Sequence, residues 1–244
     1  MTVEAEDLIG VRDRGEQQEP AERAVTLLSL ASPETDAGAL RRLTLGHRNA
    51  RLLALHARLF GPALEAYAEC PHCGAALELP MSVDDFVPPG AIETSAAALD
   101  LDADGYALRF RLIDSDDVLA ASHCPSVAAA RALFVERCLL EARHDGRAVS
   151  ADELPPKVID RLSQRMEECD PGADTLLNLV CPACQRAWQI AFDVASFLYS
   201  EVAGEARRAL REVHALARAY AWSEREILAM HPRRRRDYLE MLLE

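Results

Sequence analysis

Apolar residues recur every three or four positions through most of this chain, the spacing of helices with one buried face. Residues 3–14 are polar and predict a short helix or a loose arm. Pro20 opens a run in which Ala24, Leu27, Leu28 and Ala31 share a face. Proline suits the first turn of a helix because its missing N–H would be unpaired there anyway. A second helix is expected over about 36–43. A third runs from about Gly46 to Phe60, carries Leu52, Leu53, Leu55, His56 and Leu59 inward, and is ended by Gly61-Pro62. His56 reads as a packed histidine, since nothing else pairs with it at metal-ligand spacing.

The period changes at Leu64. In LEAYAECPHCGAALELPMSV, Leu77, Leu79 and Met81 alternate with Glu78 and Pro80, which predicts a strand, a tight turn and a second strand. Val87-Pro88-Pro89-Gly90 breaks the chain, and residues 90–104, small and acidic, read as a loop. Tyr106, Leu108, Phe110 and Leu112 alternate with Arg109 and Arg111, as in a half-buried strand. Asp114-Ser115-Asp116 offer N-caps for a helix through Val118 and Leu119. Residues 126–142 predict a helix with Val127, Ala130, Leu133, Phe134 and Cys138 as its apolar stripe, closed by His144-Asp145-Gly146. Another helix is expected from about Pro155 to Glu168, stopped by Asp170-Pro171-Gly172. Strand texture returns over 174–193. A helix from about Val194 to Ala221 follows, with a break expected near Gly204. Ser223 and Glu226 form a capping-box pair before Ile227-Leu228, and Pro232 opens a last helix with Tyr238, Leu239, Met241 and Leu242 as its apolar residues.

Composition narrows the classes. The chain has 244 residues, 27 Lys plus Arg against 40 Asp plus Glu, and a net charge of −13. Half of it is apolar, which argues against disorder, and only 5% is aromatic, so Leu, Ala and Val must build the core. No run of about 18 apolar residues predicts a membrane span. Met1 to Gly10 holds Glu4, Glu6 and Asp7 instead of a basic start and an apolar run, so a cytoplasmic protein with no membrane partner is expected. The acidity argues against general nucleic-acid binding, with Arg233 to Arg236 as the one basic exception. There is no Gly-rich phosphate loop, no H-E-x-x-H and no G-x-S-x-G, so no catalytic residue, small-molecule substrate or organic cofactor is expected. The pairs Asp84-Asp85 and Asp116-Asp117 read as helix caps.

Four of the seven cysteines form two near-copies: Cys70-Pro71-His72-Cys73-Gly74 and Cys181-Pro182-Ala183-Cys184-Gln185. Each sits in the turn of an expected hairpin. Two such turns facing one another make the closed four-thiolate site of structural Zn²⁺, with Cys70, Cys73, Cys181 and Cys184 as ligands and His72 turned to solvent. A redox dithiol would need the motif to open a helix in a βαβ unit, which neither pair does. The pairs lie 107 residues apart, counting 74 to 180, far more than in an ordinary zinc ribbon, so the block 84–173 is expected to be an insertion between the two knuckles. Cys124, Cys138 and Cys169 stand alone, and Cys138 reads as a small core residue. The expected fold is mainly α (α+β): a helical segment at 1–63, knuckle hairpins at 64–83 and 174–193, an inserted strand and helical block at 84–173, and a helical C-terminal module at 194–244.

The C-terminal stretch carries Tyr220, Trp222, Ser223, Glu226, Ile227, Leu228, Arg235, Arg236, Tyr238 and Leu239 in the order W-S-x-x-E-I-L, then R-R-x-Y-L. Upstream stand Arg109 and Arg111, then Ser115 and Asp116, then Arg137-Cys138-Leu139, then Asp152, Leu154 and Pro155. In these positions residues 65–244 resemble baseplate proteins of the T-even-phage family and their relatives in contractile injection systems. The resemblance implies a non-enzymatic structural or assembly component of a phage-tail-like particle, partnered by other baseplate or tail proteins. It does not reach residues 1–60. Trp222, Arg235, Arg236 and Tyr238 are the candidate partner contacts, because Arg and aromatics are enriched at interface centres. The two rings serve equally well to pack the tail onto the body. The competing reading is a zinc-ribbon regulator that binds nucleic acid through Arg233 to Arg236.

Overall fold

The computed structural model describes residues 3–86 and 98–242. The fold is mixed, with 55% helix against 19% strand, so helices make the body and small antiparallel sheets are set into it. The break expected at Val87-Pro88-Pro89-Gly90 lies outside the described residues.

Four helices open the chain: α1 (Ala5–Gly15), α2 (Pro20–Ala31), α3 (Ala37–Arg41) and α4 (Leu45–Phe60). Reciprocal capping boxes start the first two, with Glu4 and Asp7 for α1 and Glu19 and Glu22 for α2. Thr44 caps α4 by accepting from His47 N–H. Their apolar faces converge on a long helix from the other end of the chain, α8 (Val194–Tyr220). Val11, Leu27, Leu28, Leu52, Leu55, Leu198, Val202 and Ala206 form the heart of this first core. It therefore draws on both ends of the sequence. Gly204 does not break α8: it sits on the outward face, where a Cβ would meet nothing within 4 Å.

Between these helices the chain makes two hairpins and an inserted block. The first hairpin pairs β1 (Ala63–Glu69) with β2 (Ala76–Ser82), and the second pairs β7 (Leu176–Val180) with β8 (Ala187–Ala191). The block is a four-stranded antiparallel sheet in the order β3 (Leu99–Ala103), β4 (Tyr106–Phe110), β5 (Leu139–His144), β6 (Arg147–Ala148). The helices α5 (Ser115–Ser122), α6 (Val127–Cys138) and α7 (Pro156–Cys169) complete it. Leu108, Phe110, Val135, Val158 and Leu162 form its separate core.

Three expectations are corrected in this block. Part of the loop expected over 90–104 is β3, paired to β4 along its whole length. The helix expected over 126–142 ends at Cys138, and Leu139–His144 runs as a strand against Tyr106–Phe110. A short apolar run carries no period that separates helix from strand, and here the ladder to β4 decides. His144-Asp145-Gly146 consequently turns a hairpin instead of ending a helix. Asp145-Gly146 and Asp104-Gly105 both have positive φ, the conformation that two-residue hairpin turns demand. Third, Val127 is no part of an apolar stripe, being 87% exposed.

The block is fastened to the first core at a seam around the start of α4 and through α5, which packs against α2. Asp170, just past α7, accepts from Gly46 N–H at 3.0 Å and from the Thr44 hydroxyl at 3.3 Å. Asn49 Nδ2 donates to the Gly172 carbonyl at 2.9 Å, and Leu45 N–H to the Ile113 carbonyl at 3.2 Å. Gly46 is required by this proximity. A Cβ there would run into the Asp170 carboxylate and stand 3.1 Å from the Ala173 backbone nitrogen. Gly46→Ala should cost about 1–3 kcal/mol, the usual range for forced overpacking. A urea titration that leaves the midpoint unmoved would refute the tightness of the seam.

Candidate metal centre

Each cysteine turn is built the same way. In the first, Gly74 N–H donates to the Cys70 carbonyl at 2.9 Å and Cys70 N–H to the Ala75 carbonyl at 2.9 Å. In the second, Gln185 N–H donates to the Cys181 carbonyl at 2.8 Å and Cys181 N–H to the Arg186 carbonyl at 3.0 Å. Both turns need one residue in the left-handed region. Gly74 takes it at φ +72° without cost, whereas Gln185 holds φ +58° and donates its side-chain amide to the Pro182 carbonyl. Proline after the first cysteine removes a donor that such a turn has no use for.

The two turns face one another. Cys70 Sγ lies 3.7 Å from Cys184 Sγ, and Cys73 Sγ lies 3.7 Å from Cys181 Sγ. All four sulfurs lie within 4.8 Å of one another, so the cluster could hold a metal ion. None is in a disulfide. Cys70 and Cys181 are buried, and Leu77, Leu79 and Trp188 pack beside them. His72 is exposed and contacts Arg186 at 3.4 Å. Main-chain N–H groups of Cys184 and Ala183, against some burial, bring the Cys181 thiol down to about 7. Ala75 N–H pulls Cys73 the same way, but burial and the hydrogen bonds to the other three sulfurs push it up to about 12. Of these two thiols, Cys181 is the first to become a thiolate.

The candidate partner residues sit elsewhere, at the far end of α8. Two short helices follow it, α9 (Glu224–Leu228) and α10 (Pro232–Met241), the first started by the Ser223/Glu226 capping box. Tyr220 and Trp222 stack at 4.5 Å between ring centroids, and Tyr238 meets both edge-on. Ile227 and Leu216 are buried beneath them. The rings therefore pack the tail onto α8. Arg235 is 8% exposed and donates to Glu212 at 2.7 Å, which turns it inward, while Arg236 is exposed.

A third constellation went unread in the sequence. Asp114, one of the expected N-caps, starts α5 by accepting from the N–H groups of Asp116 and Asp117, and Asp117 closes the capping box by accepting from Asp114 N–H at 3.1 Å, but the acidic pair does more than cap. Asp116 reaches Arg41 at 3.3 Å. Asp117 is fully buried and is held by two arginines, with Arg111 Nη1 at 2.6 Å, Arg111 Nη2 at 2.9 Å and Arg137 Nε at 2.6 Å. Cys138 Sγ completes the ring at 3.7 Å. Burial pushes the Asp117 carboxyl up, but the guanidinium hydrogen bonds outweigh it and hold the group well below the usual carboxylate range. This is one ionic knot joining α5 and α6 to Arg111, the residue after β4.

Compared with family models, curated proteins and solved structures, the chain matches none.

Asp117→Asn should cost about 3 kcal/mol, the low end for breaking a buried pair, because both guanidiniums still reach water. The depressed pKa fixes the sign of the acid response. The knot stabilises fully above the unfolded-state value near 4 and is lost progressively as pH falls below it. Urea midpoints of wild type and Asp117→Asn should converge between about pH 4 and pH 2. A gap between them that stays constant with pH would refute the assignment.

Proposed function

We propose that this protein is a non-enzymatic structural or assembly component of the baseplate of a contractile phage-tail-like particle, its two hairpins clamped by a structural zinc ion. The carrying observation is the shape of the cysteine cluster. Zinc bound to four thiolates at about 2.3 Å defines a tetrahedron with edges of about 3.8 Å. The two cross-hairpin sulfur pairs stand at 3.7 Å. Soft thiolates select zinc over the hard cations, and four of them leave no open position for substrate or water. Cys70, Cys73, Cys181 and Cys184 would all be ligands, so the ion would supply fold stability and no Lewis-acid chemistry.

The baseplate part of the reading is supported by the C-terminal motif residues and by the Arg111–Asp117–Arg137 knot. Arg111 and Arg137, two of the resembling positions, converge on the carboxylate of Asp117 next to Ser115 and Asp116, which gives that part of the pattern a physical reason. The nucleic-acid alternative loses ground. Of the basic run, Arg235 is spent on Glu212, leaving Arg233, Arg234 and Arg236 exposed at the end of an acidic chain.

Metal analysis of the purified protein should find about one zinc per chain, as one closed four-thiolate site requires. Cys70→Ser and Cys181→Ser should lose it equally, and Cys124→Ser should keep it. No zinc, with all four thiols titrating freely in the native protein, would overturn the clamp. The baseplate assignment has its own test. A chain lacking residues 223–244 should keep its zinc and most of the helix content of its body but cease to co-purify with the sheath, tube and spike proteins of its tail cluster. Full-length chain that never associates with those proteins refutes the baseplate reading and leaves the clamp standing.

A further inference from the structure

The outward face of α8 carries a line of basic residues that the preceding reading does not use. Arg207, Arg211, His214 and Arg218 are all exposed and follow one another at intervals of 4, 3 and 4. At 3.6 residues per turn these four fall within an arc of about 60° and extend along about 16 Å of the helix. The three carboxylates of α8 lie about a quarter turn or more away, and each is engaged: Glu201 faces His56, Glu205 pairs with Arg208, and Glu212 holds Arg235. Among the described residues no carboxylate pairs with Arg207, Arg211 or Arg218. In a chain of net charge −13, three guanidiniums in line without counter-charges stand out.

We infer that this rail is a docking surface for an acidic helix of a partner protein. The interval 4-3-4 is the one that keeps side chains along a single seam between two packed helices, and it repeats on any helix laid beside this one. Carboxylates on the partner at the same interval would meet each guanidinium in a two-pronged hydrogen-bonded pair. Duplex nucleic acid fits less well, since the rest of the chain repels phosphate. The aromatic residues nearest the rail's end, Tyr220 and Trp222, are stacked on one another and offer no open platform for bases. The inference stands apart from the baseplate reading: it concerns what the rail binds, whichever assembly supplies it.

The test uses the full-length protein and a fluorescently labelled helical peptide of alanine and glutamine with glutamates at 4-3-4 spacing. A control peptide has the same composition with its glutamates spread around the helix, and a labelled 20-base-pair duplex is the third probe. At low salt the registered peptide should bind at least about tenfold more tightly than the control, the sum expected of three exposed ion pairs, and more tightly than the duplex. R207E/R211E/R218E should lose that advantage, and R207Q/R211Q/R218Q should lose it without reversing charge. Metal content and helical spectrum should be unchanged in both. Equal binding of the two peptides, tighter binding of the duplex, or undiminished binding by the glutamine variant would each overturn the inference.

Discussion

A two-stranded hairpin cannot hold itself in water, and this fold contains two of them. The second is the extreme case. No residue of β7 or β8 is fully buried, and the buried side chain at its turn is Cys181 itself. The first buries Leu64, Ala68 and Leu77 but turns Tyr67 and a row of glutamates outward. The turns of the two meet four sulfurs wide, with Leu77, Leu79 and Trp188 beside them. The first hairpin is also seated in the helical core through Leu64 and Met81, so the second leans on the first through the cysteines.

That junction closes a loop of 107 residues, from 74 to 180. Closure entropy grows only with the logarithm of loop length, so a block this large adds little to the penalty of bringing the turns together. It does require the block to fold on its own core and to leave its ends side by side. The seam around Gly46, Asp170 and Asn49 meets that requirement. It lies where the block returns from α7 toward β7, and it aims the chain at the second turn. The ionic knot at Asp117 does the equivalent inside the block, tying α5 and α6 to Arg111 at the end of β4.

The sequence made the helices, both hairpins and the cysteine pairing legible, because each rests on local period or on a repeated motif. The errors fell where long-range pairing overrode local pattern. Leu139–His144 continues an apolar helical run and becomes a strand only because β4 lies beside it. The signal that could have separated them was present in Asp104-Gly105 and Asp145-Gly146, two hairpin turns of the same kind. Asp117 was hidden for a different reason. Its partners are 6 and 20 residues away on other elements, and an acidic residue at a helix start already had a sufficient local explanation. Arg235 was likewise read with its neighbours as one basic run, although the turn of α10 points it back at Glu212.

Helix α8 begins three residues after β8 ends and stops one turn short of the capped tail. Its 27 residues run unbroken for roughly 40 Å at the rise of an α-helix. It therefore acts as a strut with the base of the second hairpin at one end and the stacked aromatics at the other. Because its inner face is locked into the first core along much of that length, the two ends are held at a fixed spacing and orientation. A shift of the tail would therefore be carried along the strut to the base of the second hairpin, a full hairpin length away from the cysteine turn.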